Sequence, residues 1–175
     1  GQRASEVVRR LLSLSKKGVP LNKSVVNCAE LITESLALVH RELLRHDVVV
    51  DVDITAPDLK VRGDKIQLQQ VLINLLMNAH QAVLERQNGA RHIQISLKLS
   101  STSDVVIVVQ DNGHGISREH QERLCTTFFT TKRNGLGMGL SICRSIISAH
   151  GGKITLQSEQ GKGAIFTVEL PAWRV

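Results

Sequence analysis

Two amides one helical turn apart, a carboxylate closing an apolar strand, a lysine in a Thr-rich loop and three alternating glycines are the residues of this chain best suited to chemistry. Asn74 and Asn78 stand in QQVLINLLMNAHQAV (69–83), Asp111 in VVQDNGHGIS (108–117), Lys132 in FFTTK (128–132), and Gly135, Gly137 and Gly139 in NGLGMGL (134–140). An Asn at the edge of an apolar helix face offers its amide oxygen to a hard cation while its NH₂ donates to a phosphate. An ordinary solvated flank is the plainer account of the same residue. A strand-end carboxylate backed by glycines, which permit close backbone approach, suits a flat base. Asp111 would accept the exocyclic amino proton of adenine, selecting against the carbonyl of guanine, although Asp/Asn-Gly pairs are also common hairpin turns. Glycines ahead of an apolar-periodic helix let successive N–H groups and the helix start face one anion, or simply make a flexible loop. No strand leads straight into GLGMGL, as a dinucleotide fingerprint requires, and no GK[ST] follows, as a P-loop requires. Lys132 lies in the loop between the glycine clusters, where it swings onto a terminal phosphate or faces solvent. Each signal alone has a bland alternative; together they compose a site for ATP and a divalent metal.

These residues need elements to hold them. Residues 2–17 read as the end of an amphipathic helix, stopped by Gly18 and Pro20. A second helix is expected from about Cys28 to Arg45, and VVVDVDI (48–54) alternates as a half-buried strand does. Asp64 is placed to cap a helix from about Lys65 to Arg86, whose apolar face carries Leu68, Val71, Leu72, Leu75, Ala79, Ala82 and Val83. His80 falls off that face and is expected in solvent. Strands follow at His92–Leu99 and Val105–Gln110. Residues 112–138 read as a long loop with one helical turn near Glu119–Leu124, and a helix from about Gly139 to Ala149 ends at His150-Gly151-Gly152. His150 is expected to be structural. A hairpin over 153–171 closes the chain. This order predicts a two-layer α/β sandwich, a mixed sheet covered on one face by helices.

Composition limits the partners. Aromatic residues are 2% of the chain, too few for the stacking platforms of single-strand nucleic-acid binders. The net charge of +6 reads first as solubility, next as an anionic partner such as a polyphosphate, and only weakly as nucleic acid, since the basic residues are scattered. Cys28, Cys125 and Cys143 are odd in number and form no CxxC, which suggests neither a disulfide framework nor a zinc site. No apolar run approaches the roughly 20 residues that span a bilayer, and no signal peptide opens the chain. A reducing cytoplasmic location is expected.

QVLINLLMNA, QDNGHGI, LCTTFFTTK and GLGMGL, in this order, resemble the N, G1, F and G2 boxes of sensor histidine kinases. Over about residues 22–171 the chain is similar to the catalytic and ATP-binding domain of that family, whose Bergerat fold is shared with gyrase, Hsp90 and MutL. The resemblance implies that Asn78 binds Mg²⁺ and Asp111 the adenine amino group. Gly113, Gly115, Ile116 and Ala82 would shape the base pocket. Gly135, Gly137 and Gly139, with Met138 and Leu140, would wrap the phosphates, and Lys132 would meet the γ-phosphate. Asn74 stands where gyrase-like ATPases carry the Glu that activates water; an amide is a poor base, so transfer to a better nucleophile is favoured over hydrolysis. The family's phosphoacceptor motif, a His followed by an acid and a Pro, is missing: His40 has no such Pro. The resemblance therefore implies that residues 1–18 are the remnant of a dimerisation helix ahead of a catalytic and ATP-binding domain (19–175), in the cytoplasmic portion of a membrane-bound sensor or in a cytoplasmic protein. Cys125 and Thr127 depart from the usual F box, and Ala164 stands where the fold commonly has Thr or Ser near the adenine. His114 is the variable position of the G1 turn. The implied partners are a histidine-bearing dimerisation domain, a response regulator and, in the parent protein, a second copy. A stand-alone ATPase, a serine-directed kinase and a non-catalytic docking module remain the rival expectations.

Overall fold

The computed structural model describes residues 21–86, 89–116 and 136–174, with side chains in the last stretch from 139 onward. In chain order the elements are β1 (Ser24–Asn27), α1 (Cys28–Arg45), β2 (Val48–Ile54), β3 (Lys60–Gly63), α2 (Lys65–Leu84), β4 (Arg91–Leu99), β5 (Asp104–Asp111), α3 (Leu136–Ala149), β6 (Lys153–Glu159) and β7 (Gly163–Pro171). The expected helix at 2–17, the short turn near Glu119–Leu124 and the FFTTK loop lie outside the described residues.

Strand periodicity decides which way the sheet faces. Residues two apart share a face, and the buried rows are Ile93, Ile95 and Leu97 in β4, Val105, Ile107 and Val109 in β5, and Ala164, Phe166, Val168 and Leu170 in β7. These three strands are antiparallel neighbours; β2 adds to the β4 edge in parallel and β6 to the β7 edge antiparallel, in the order β2-β4-β5-β7-β6. The three helices among the described residues cover the apolar face, α1 over β2, α2 over β4, β5 and β7, and α3 against α2 and β6. The sheet is mixed and the sandwich has two layers, as expected.

The helices start where their caps allow. Asn27 Oδ1 accepts the Glu30 amide at 2.9 Å to open α1, and Asp64 Oδ1 accepts the Gln67 amide at 3.1 Å to open α2, satisfying donors the first turn leaves unpaired. The other Asp64 oxygen accepts the Asn22 amide at 3.0 Å. α1 and α2 run side by side in the same direction: Glu34 meets Lys65 and Gln69 near their starts, and His46 meets His80 near their ends.

Three expectations need correction. α2 is buried around most of its circumference, including Gln70, Ile73, Leu76 and His80, because α1, α3 and the sheet enclose it on three sides. His80 is therefore only 4% exposed and is not a solvated residue. Second, α3 begins at Leu136, not Gly139, so Gly137 and Gly139 lie within its first turn, where N–H groups need no intrahelical partner. Third, β1 and β3 form a separate two-stranded sheet where the sequence predicts no strands. Strands of four residues are too short to show a period. The remaining boundaries moved by at most two residues.

Candidate functional site

Asp111 is the last member of an inward row. It follows Val105, Ile107 and Val109 along β5, so strand alternation points its carboxylate into the helix layer, between Ile93 and Ala164 on the flanking strands. It is 5% exposed. Its Oδ1 accepts the Gly113 amide at 2.8 Å, and the Ala164 amide also donates to the carboxylate. Burial raises its pKa above the ordinary value, while those two amides and nearby His114 pull it back. A buried acceptor held at a strand end by backbone amides is a fixed polar mark in an apolar surrounding, which is what base recognition needs.

The turn after Asp111 is shaped by three close approaches. A Cβ on Gly113 would lie 2.6–2.7 Å from the backbone and Cβ of Ala82, so this glycine lets the turn rest directly on α2. Gly115 has φ +73, and a Cβ there would lie 2.1 Å from Glu159 O; both the torsion and the space exclude a side chain. Ile116 N donates to Ser158 Oγ at 2.7 Å, and that hydroxyl donates to Gly163 O at 2.8 Å. Asn112 faces away from this pocket: its Oδ1 accepts the His92 amide, its Nδ2 donates to Ala90 O, and its own carbonyl accepts Arg86 Nη1. His114 Nε2 lies 3.0 Å from Glu85 Oε2 in an exposed pair.

One row on α2 connects the two ends of the site. Asn74, Asn78 and Ala82 are spaced by four residues, so they share a side of the helix and span about 12 Å along it. Asn74 Nδ2 lies 3.4 Å from Gly139 O in the first turn of α3, and a Cβ on Gly139 would meet Asn74 Oδ1 at 3.0 Å. Asn74 also bonds the Cys143 side chain. Asn74 thus touches the second glycine cluster and Ala82 the first, with Asn78 between them. Among the described residues the NH₂ of Asn78 is shielded from solvent and has no hydrogen-bond partner. An unpaired buried donor costs about 1–3 kcal/mol, so a ligand acceptor placed here would satisfy it.

Of the residues singled out from the sequence, Asn74, Asn78, Ala82, Asp111, Gly113, Gly115, Ile116 and Gly139 are brought to this side of α2 or the adjoining turn. Gly137 and Met138 lie in the first turn of α3. Leu140 sends its side chain into the core, leaving only its backbone to a ligand. Lys132 and Gly135 lie outside the described residues. Sequence reasoning missed the Ala164 amide and the Ser158 hydroxyl, which brace Asp111 and Ile116 through strand register, and register has no sequence signal here. His150 is structural: Nδ1–H donates to Ile146 O at 2.7 Å and Nε2 accepts the Asp64 amide at 3.0 Å. A carbonyl only accepts and an amide only donates, which fixes the tautomer.

Residues 63–174 match the family described as histidine kinase-, DNA gyrase B-, and HSP90-like ATPase. The chain is 38% identical over 169 residues to the sensor histidine kinase ZraS of Salmonella typhimurium, covering 97% of this chain and 35% of that protein. It is similar to the solved catalytic domain of the histidine kinase ThkA, at a TM-score of 0.75 and 34% identity, covering 86% of this chain and 97% of that one. ThkA in complex with the response regulator protein TrrA also matches, at a TM-score of 0.75 and 32% identity, over 98% of this chain and 48% of that one. The chain spans about a third of the length of the curated relatives it matches.

Proposed function

This chain belongs to the histidine kinase-, DNA gyrase B- and HSP90-like ATPases, as an ATP-binding domain of the sensor histidine kinase type, and we propose that it presents the γ-phosphate of Mg-ATP to a histidine carried by a separate dimerisation domain. The observation that carries the reading is the Asn74–Asn78–Ala82 row, which joins both glycine clusters and holds between them a buried amide without a partner among the described residues.

In this reading Asp111 accepts the exocyclic amino proton of adenine, and Gly113, Gly115, Ile116 and Ala82 border the base. The N–H groups of Gly135, Gly137 and Gly139 face the phosphates with the positive end of α3 behind them. Lys132 meets the γ-phosphate. Asn78 suits a hard cation, since its amide supplies an oxygen ligand while its orphaned NH₂ donates to a phosphate oxygen. Bound Mg²⁺ would neutralise charge on the phosphates. Asn74 cannot take a proton from water, and its contacts with Gly139 and Cys143 make it a brace between α2 and α3. Water is therefore activated poorly, and catalysis rests on positioning and charge neutralisation for in-line attack by the histidine.

The histidine-bearing domain, a downstream response regulator, a homodimeric parent and a cytoplasmic setting are part of the same proposal. Among the described residues no helix is long and apolar enough to cross a membrane. The test mixes this chain with a fragment carrying the acceptor histidine and γ-labelled ATP. Acid-labile label on that fragment, with none on this chain alone, is the expected result. Steady ADP release without any acceptor would instead favour an ATPase, and nucleotide binding with neither outcome a docking module.

A further inference from the structure

At the end of α2 farthest from Asp64, a second cluster of ligand-type side chains has no part in the nucleotide reading. Glu42 and His46 are four residues apart on the last turn of α1 and its cap, and His80 reaches them from α2. The ligating atoms of the three lie within 4.8 Å of one another. His80 Nε2 lies 3.2 Å from His46 Nδ1, and the rings cross at 64° with centroids 5.0 Å apart. Two imidazole nitrogens this close, approached by rings that are not stacked, cannot both carry protons along the same line. In the metal-free protein the Glu42 carbonyl takes the His46 Nδ1–H and also hydrogen-bonds His80, so both ring nitrogens converge on one point that a metal ion can occupy in its place.

We infer that Glu42, His46 and His80 form a binding site for a borderline transition-metal ion, Zn²⁺ or a similar divalent cation, that clips the end of α1 to α2. Metal–nitrogen and metal–carboxylate bonds of about 2.0–2.2 Å place tetrahedral ligands roughly 3.4 Å apart, close to the observed nitrogen separation. The Glu42 carboxylate already lies within 4.8 Å of both nitrogens. Two imidazoles and one carboxylate suit Zn²⁺, Co²⁺ or Ni²⁺ and disfavour Mg²⁺, which prefers oxygen ligands. The fourth position is left to water.

The surroundings permit this. His46 Nδ1 now also contacts Glu42 O at 3.1 Å, a bond the metal replaces. Glu42 pairs with Arg45 at 3.7 Å, a long contact to a half-exposed guanidinium that a metal displaces readily. Arg91 is the other nearby cation, and its nitrogens are taken up by the carbonyls of His46 and Leu84. His80 is two residues beyond Asn78, about 200° further round the helix, so this ion sits on the side of α2 opposite the nucleotide.

The experiment titrates the chelator-treated chain with Co²⁺ in the absence of nucleotide, then displaces it with Zn²⁺. A visible Co²⁺ absorption band saturating at one equivalent is expected, and Zn²⁺ at a hundredfold excess over Kd should raise Tm by roughly 5–10 °C. His46→Gln, at a partly exposed cap, should lose the band and the Tm shift while binding a fluorescent ATP analogue as the unaltered chain does. His80→Gln should do the same to the metal signals. No band and no Tm shift at millimolar metal would overturn the site. So would a His46→Gln chain that keeps both, or a His92→Gln chain that loses them, since that would move the ion to the exposed His92–Asp51 pair.

Discussion

Asp111 sits in a position that a folding optimum would fill with an apolar residue, as the register partners Ile93 and Ala164 show. Its raised pKa has a definite consequence for stability. Below the ordinary carboxylate value of 3.8 both folded and unfolded chains hold the proton. As pH rises through the higher folded pKa the buried group must ionise, so the unliganded domain loses stability over that interval. Asp111→Asn keeps the shape without this loss: its Tm at neutral pH should match or exceed that of the parent, while fluorescent-ATP affinity falls at least tenfold. A parallel loss of Tm would show the carboxylate to be structural. His80 works in the opposite sense. Burial chiefly, and His46 next, lower its pKa below 6.5, so the unfolded chain takes up a proton the folded one resists, and stability declines as pH drops below that value. His80→Gln should flatten this acid limb in pH-dependent melting curves. Burial pushes the Cys28 and Cys143 thiols up to about 12, so a thiol reagent at neutral pH should label at most one of the three cysteines in the native chain, and all three after denaturation. At this scale the sequence was legible where a residue's type contradicted its surroundings, as for Asp111 at an apolar strand end. It was not legible for His80, whose burial depends on α1 packing that periodicity on α2 alone does not contain.

Among the elements, α2 organises the site, and two glycines set its distance from its neighbours. Gly113→Ala places a methyl 2.6 Å from the Ala82 carbonyl carbon, backbone that cannot rotate away. The turn must lift, at a cost of about 1–3 kcal/mol, and adenine-nucleotide binding should weaken with it; a denaturant midpoint and an ATP titration measure both. Among the described residues Gly139→Ala first meets the end of the Asn74 side chain at 3.0 Å, which can shift, so its stability cost should be the smaller of the two. Periodicity predicted α1 and β2, and periodicity with the Asp64 cap predicted α2, because these signals are local: apolar residues recur along α1, VVVDVDI alternates, and Asp64 opens α2. The early start of α3 was hidden because Gly137 and Gly139 read as loop residues, although the first turn tolerates them. The β1–β3 pair was hidden because its pairing joins segments some three dozen residues apart.

Across the whole molecule, the layers were predictable from element order, while the joints between them were not. One such joint is His150, whose ring is flanked by Gly63 so closely that a Cβ there would sit 2.5 Å from Cδ2. His150→Ala removes two buried hydrogen bonds and leaves a void, and should cost about 2–4 kcal/mol in chemical denaturation without changing the slope of the transition. Through its side chain Asp64 secures the Asn22 amide and the start of α2, and through its own amide it is held to the end of α3 by His150. One residue therefore fastens three stretches of chain whose outermost members are more than a hundred positions apart. Deuterium uptake should report this as a single cooperative event: the slowest amides of α2, around Ile73–Leu76, and those of α3, around Ile146 and Ile147, should open with one common free energy. Nucleotide arriving at the Asn78 side would then protect both helices together, including α3 residues it never touches.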